Sequence, residues 1–273
     1  MTAIADIPAW WHGGQGGVEN SNWGDIITPA IIEAFSGQSA RRHRGPNKHL
    51  VVGSILHEMK PGDTIWGAGT LSPLFLPAKL PEGVTFRAVR GPRTRDALLT
   101  AGAAEVPEVY GDPALLAPYL LRMAPVKPAF RLGVIPHVCD ASRFAVNDPA
   151  IKVIDICGGL EAVVRDIHDC EAILASSLHG IIAAEAYGKP TAWLRIDKGS
   201  RLYGGDFKFD DYYRSTDRDL PAPVEMSGED TALPPIRWPD RGRIDLEPLF
   251  RNCPFNLLGH RVLNDLPCRM IDA

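Results

Sequence analysis

The chain has 273 residues, 45% hydrophobic and 23% charged, with a formal net charge of −4. It can bury one large core or two smaller ones, and it lacks the basic excess that a nucleic-acid partner would call for. Its five cysteines (Cys139, Cys157, Cys170, Cys253 and Cys268) are odd in number, widely spaced and without a CxxC pair, which argues against a disulfide framework or a zinc ribbon.

No stretch approaches the roughly 20 apolar residues of a membrane span, and the first residues lack the basic and apolar regions of a signal peptide. The expectation is a soluble cytoplasmic protein, with peripheral association at the inner face of a membrane left open. In chain order, an apolar run at 7–11 breaks into a glycine-rich stretch at 12–17, and a helical pattern follows over 26–35. That is the order of an α/β ligand site, without a Walker lysine or a clean GxGxxG register. The basic cluster at 41–44 reads as a solvated loop. Strands are predicted at 49–56, at 63–66 running into GAG, and at 84–89 ending in RGP, with a helix over 93–101. A strand at 108–110 ends in GDP and an apolar helical run follows.

Beyond a proline-containing connection at 124–128, strands are predicted at 131–135 and 152–156, a helix at 160–169 and strands at 172–175 and 191–196. The segment 215–240 is polar and proline-rich and reads as an extended loop, with a closing helix at 246–251. Strands alternating with helices predict parallel sheets covered on both faces. The fold class expected is α/β, with two Rossmann-like parallel-sheet domains, 1–127 and 128–273, and a cleft between them. Several strands end in small or polar punctuation, and ligands of open α/β sheets bind beyond such ends.

The stretch AILASSLHGIIAAEAYGKP at 172–190 is the centre of this reading. A short apolar strand turns through Ser176 and Ser177 into a helix that is apolar on nearly every side and ends at Gly188, so it should be buried. Either serine can cap it. His179 stands at the helix mouth, and Gly180 would let a ligand approach the backbone. A helix N-terminus beyond a strand is an anion site, and a histidine there can pass a proton to the bound anion.

With NWGD at 22–25, GSIL at 53–56, WGAG at 66–69, RGPRT at 90–94, GDPALL at 111–116, IPH at 135–137, SSLHG at 176–180, AEAYGKP at 184–190 and KFDDYY at 208–213, the chain resembles the polysaccharide pyruvyltransferase family, most of all its bacterial exopolysaccharide ketal-forming branch. The resemblance implies two domains arranged as in GT-B glycosyltransferases. It also implies transfer of a pyruvyl group from phosphoenolpyruvate to two hydroxyls of a sugar. The family's anion-binding arginine falls on Arg90 and its catalytic histidine on His179. Ser177 stands where the family often has arginine, so either another residue substitutes, with Arg93, Arg95, Lys198 and Lys208 as candidates, or the donor differs.

Phosphoenolpyruvate needs two adjacent anion sites, an acid for C3, a base for the hydroxyls and cations for the leaving phosphate. No metal or organic cofactor is demanded. His179 is given the acid role, Arg90 the donor's carboxylate or phosphate, and His137 a role as base or acceptor contact. Ser176, Ser177, Gly180 and Lys208 are assigned to the donor, and Asn22, Trp23, Asp25 and Asp112 to the acceptor. Each has a plainer alternative: a core histidine, a surface ion pair, a helix cap for Asp25 and Asp112, packing for the tryptophans. The partners expected are phosphoenolpyruvate and a sugar or lipid-linked acceptor. Rival functions are a GT-B glycosyltransferase or sugar-nucleotide epimerase, and a non-catalytic glycan-binding or scaffolding member of the family.

Overall fold

The computed structural model describes residues 6–13, 21–144, 146–196, 204–227, 230, 232–243 and 245–255. The first half carries β1 (Ile7–Trp10), α1 (Trp23–Ser36), β2 (Ala40–Arg42), β3 (His49–Leu50), β4 (Thr64–Trp66), β5 (Thr85–Ala88), α2 (Pro92–Thr100) and α3 (Ala117–Leu120). The second carries β6 (Phe130–Ile135), β7 (Ile151–Val153), α4 (Leu160–His168), β8 (Cys170–Ala175), α5 (Leu178–Ala186), β9 (Thr191–Ile196), α6 (Phe207–Arg214), β10 (Val224–Met226) and α7 (Glu247–Arg251). The strands form two five-stranded sheets, ordered β2-β1-β3-β4-β5 and β10-β9-β8-β6-β7. Every ladder is parallel. The architecture is α/β with two Rossmann-like units, as the alternating pattern predicts.

Several segments differ from that pattern. The run at 49–56 is a strand only over His49–Leu50, because the chain turns at Gly53, whose φ of +105° excludes a side chain, and then enters a 3₁₀ turn at Leu56–Glu58. The run at 108–110 contributes only an isolated bridge between Val89 and Tyr110. The basic cluster begins as the edge strand β2, where exposed arginines protect an open edge. Arg42 and Arg44 lie over the Trp10 ring, with Cζ 4.7 and 4.3 Å from its centroid. The proline-rich segment contains the edge strand β10. Its Leu233 and Ile236 pack on Leu132, Val134, Leu174 and Leu194, so an extended strap rather than a helix covers that sheet face.

The two halves interlock. Trp23 donates its backbone N–H to the Ile156 carbonyl (2.9 Å) and its indole N–H to the Leu160 carbonyl (3.2 Å). One apolar core runs from Ile27 and Ile31 of α1 to Ile181 and Ile182 of α5. The closing helix α7 returns to the first sheet: the Leu249 carbonyl accepts from the Trp66 indole (2.8 Å), and Phe250 packs edge-on against Phe35. The mouth of α5 is therefore fixed from both sides. Its other end is a Schellman turn at Gly188 (φ +70°), in which Gly188 N–H bonds the Glu185 carbonyl and Lys189 N–H the Ala184 carbonyl. Among the described residues, no helix is long and apolar enough to cross a membrane.

Candidate active site

A pocket of about 180 Å³ opens where the N-termini of α1 and α5 meet. The first half supplies Asn22, Asp25 and Ser54; the second supplies Ser177, His137, His179 and Lys208. Both helices bring the positive ends of their dipoles here. Ser177 is the N-cap of α5 but makes no side-chain capping bond. The first N–H groups of this helix therefore have no intrahelical acceptor and no serine oxygen covering them.

The proton on His179 can be assigned from its partners. Asn22 is the N-cap of α1, and its Oδ1 accepts from Gly24 N–H (3.0 Å), which identifies that atom as the amide oxygen. The same Oδ1 lies 2.9 Å from His179 Nδ1. Nδ1 must therefore carry the hydrogen, leaving a lone pair on Nε2. Burial, then the charges of Lys208 and Arg90, push the imidazole down to a pKa of about 3. The ring is neutral at physiological pH with its lone pair on Nε2, an arrangement that suits a base better than the acid role expected of it.

His137 has the opposite tautomer. Its Nδ1 accepts from Cys139 N–H (3.3 Å), so Nε2 is the ring's donor. Burial, followed by Lys208, lowers its pKa. Ser176 fixes the loop beneath it, accepting from His137 N–H (2.8 Å) and donating to the buried Asp140 carboxylate (2.7 Å). Asp25, in the first turn of α1, is raised by burial to about 7 even though Lys208 opposes the shift. Lys208 is lowered to about 8, first by burial and then by Arg90. Among the described residues it makes no ion pair within 4 Å. The pocket thus holds a neutral base, a carboxyl protonated near neutrality, an N–H donor and an ammonium beside two helix N-termini. Such divergent proton affinities in one cleft suit acid–base chemistry on an anionic ligand.

The family model for polysaccharide pyruvyl transferase matches residues 64–198. A succinoglycan biosynthesis protein, ExoV, of Rhizobium meliloti (strain 1021) is 26% identical over 251 residues, 81% of this chain and 69% of that one. The chain belongs to the polysaccharide pyruvyl transferase family. An uncharacterized protein, L143, of Acanthamoeba polyphaga mimivirus is 34% identical over 109 residues. That match covers 37% of this chain, and the chain spans only 38% of the viral protein's length. No solved structure matches significantly.

The family motifs now take physical roles, and several expectations change. In NWGD, Asn22 orients His179 and Asp25 lines the pocket. Trp23 is fully buried and bonded across the halves, so its ring has no face for an acceptor sugar. Gly24 is where the histidine lies: an added Cβ would sit 2.1 Å from His179 Cγ. Gly24→Ala is therefore expected to swing the ring off Asn22 and cost about a hundredfold in turnover, since angstrom-scale misplacement has that effect. Steady-state rates, read beside an unchanged thermal midpoint, check it.

Arg90 does not face the pocket. It is 1% exposed, and its guanidinium is committed to Asp211 (Nε, 2.8 Å), Ser54 Oγ (Nη1, 2.6 Å) and the Thr70 carbonyl (Nη2, 2.7 Å). Gly180 serves packing rather than ligand approach, because a Cβ there would lie 2.9 Å from the Ile135 side chain. Ser176 is engaged behind His137 and caps nothing. Asp112 caps the 3₁₀ turn Pro113–Leu116 through Ala114 N–H (2.9 Å) and lies outside the pocket lining. Of the cations offered in place of Ser177, Arg93 pairs with Asp210 and Arg95 with Glu108, while Lys208 enters the pocket. Lys198 lies outside the described residues, as do Cys268 and most of the glycine-rich stretch.

The pocket also gathers residues that sequence reasoning missed as site groups. Ser54 sits within GSIL. His12 and His57 stack at the pocket, with ring centroids 5.8 Å apart. His12 opens the glycine-rich stretch and His57 directly follows GSIL, so proximity to punctuation was the available signal. Among the described residues, no group of three or more histidine, cysteine or acidic side chains is placed to hold a metal ion.

Proposed function

We propose that this protein transfers a pyruvyl group from phosphoenolpyruvate to two hydroxyls of a sugar in an exopolysaccharide or cell-surface glycan precursor, giving a cyclic pyruvate ketal and orthophosphate. One observation carries the reading: a tautomer-locked neutral imidazole (His179) and a carboxyl protonated near neutrality (Asp25) share a pocket with the Lys208 ammonium. Family membership and the likeness to a succinoglycan biosynthesis protein support it.

In this scheme the phosphate lies against Lys208 and the N-terminus of α5, and His137 Nε2–H donates to a donor oxygen. Asp25 protonates C3, turning the methylene into a methyl and leaving an oxocarbenium-like C2. A sugar hydroxyl adds to C2 and gives its proton to Nε2 of His179. The second hydroxyl then displaces the phosphate and closes the ring. The balance closes: the second hydroxyl's proton leaves with orthophosphate, and the first, held on His179, is returned to Asp25 to replace the proton spent on C3. The new positive charge on His179 forms beside bound phosphate, which stabilises it. Peripheral association with a membrane face would suit a lipid-linked acceptor and belongs to the same proposal.

The test is incubation with phosphoenolpyruvate and a panel of sugar acceptors, following orthophosphate. Acceptor-dependent release, with a ketal methyl signal in the product's proton spectrum, is expected. Stabilisation by UDP-sugars without any response to phosphoenolpyruvate would replace this reading with glycosyl transfer or epimerisation.

A further inference from the structure

RGP and the part of KFDDYY beyond Lys208, which the proposed chemistry leaves over, meet at one buried cluster behind the pocket. Asp211 is fully buried and accepts from Arg90 Nε (2.8 Å), Thr94 N–H (2.8 Å) and Thr94 Oγ1 (2.6 Å). It lies on α6, one turn beyond Lys208. The packing leaves this cluster no slack: a Cβ at Gly91 would fall 2.0 Å from the Asp211 carbonyl oxygen, and one at Gly69 2.5 Å from Arg90 Cζ. Gly69 of WGAG, with Arg90 and Gly91 of RGP, thus packs as one joint between α2, in the first half, and α6, in the second.

We propose that Arg90 is a positioning residue: it sets Ser54 on one wall of the pocket and, through Asp211, the helix that presents Lys208 on the other. The guanidinium fork suits this task, since its three nitrogens point in fixed directions to three partners at once. A lysine would keep the charge but not the three-way geometry. The rest of α6 is held on the far side by Tyr212, whose hydroxyl donates to Glu185 (2.7 Å), and by Phe209, stacked on Trp193. The Arg90–Asp211–Thr94 joint is the buried tie between α6 and the half that carries Ser54 and Asp25, and the part-exposed Arg93–Asp210 pair (3.2 Å) adds a second link at its rim.

The consequence for donor binding depends on the pyruvyl-transfer reading; the consequence for Lys208 does not. The groups acting on the Lys208 ammonium are Arg90, Asp25, Cys139 and Asp140, and His137 and His179 are affected by it in turn. The experiment measures the pH midpoint of Lys208 modification by an amine-acylating reagent, mapped by mass spectrometry, in folded wild type, Arg90→Lys and Ser54→Ala. With Arg90→Lys, α6 loosens and the better-solvated lysine reacts with a midpoint shifted upward, while phosphoenolpyruvate affinity falls about tenfold, as expected for loss of a charge-assisted contact. Ser54→Ala leaves the Lys208 midpoint in place, because α6 is untouched.

A wild-type midpoint in folded Arg90→Lys would overturn the proposal. A pure charge effect predicts that result, because the charge is retained. Should Arg90→Lys fail to fold, Thr94→Val removes only one hydroxyl bond to Asp211 and is read by the same criterion. If wild type does not bind phosphoenolpyruvate at all, the functional reading fails, and the labelling still decides the positioning role.

Discussion

His179→Gln is expected to lower turnover by about two to four orders of magnitude, the usual range for a positioned proton-transfer group, while phosphoenolpyruvate affinity changes only a few-fold. Glutamine can keep a hydrogen bond to Asn22 Oδ1 but has no basic nitrogen to replace Nε2. Because Nδ1 donates to an amide oxygen and the ring is held to a pKa of about 3, the base is already in its working form throughout the neutral range. Wild-type kcat/KM should therefore show no acidic limb near the ordinary histidine value, since protonation of His179 would remove activity only as pH falls toward about 3. An acidic limb between pH 6 and 7 that disappears in His179→Gln would show that the free enzyme carries an imidazolium titrating normally. Asn22→Ala probes the same bond differently. It frees the ring to exchange tautomers, so kcat should fall more than phosphoenolpyruvate affinity does.

The fold and one half of the candidate pocket could be read from the chain because both are written locally. Alternating apolar runs and helical patterns define the parallel sheets, and the turn from Ala175 through Ser177 into α5 places His179 beyond a strand end by backbone geometry alone. What could not be read depends on distant partners. Arg90 ends a strand before Gly91-Pro92, as an anion-binding arginine would, and nothing nearby says that Asp211, 121 residues on, has already claimed it. Trp23 looks like a sugar platform until Ile156 and Leu160 are seen to hold it. The glycines mislead in the same way. Gly180 lies beside the catalytic candidate in sequence but yields space to Ile135, whereas Gly24, far away in sequence, makes room for the imidazole. The proton affinity of Asp25 likewise comes from burial by both halves, which no window of sequence contains.

Asp25→Asn should also depress kcat by about two orders of magnitude or more, and its pH signature separates it from every other variant. The wild-type carboxyl is protonated below about 7 and ionised above, so an acid role makes kcat/KM fall as pH rises through that value. A second loss follows near 8, as Lys208 gives up its proton and the pocket loses its ammonium. The asparagine has no proton to give, so residual activity should be flat through pH 7 and fall only with Lys208. That fall should come somewhat below the wild-type value, because the carboxylate that raises the lysine's pKa is gone. Stability supplies an independent check with the opposite sign. A carboxyl whose folded pKa lies above its unfolded value binds more protons in the native state, so its contribution is present at low pH and is lost as pH rises through about 7. Asp25→Asn should therefore melt higher than wild type at pH 8 and no higher at pH 4. Equal melting temperatures at both pH values, together with an unchanged alkaline limb, would return Asp25 to the role of a helix-terminal carboxylate and move the acid elsewhere.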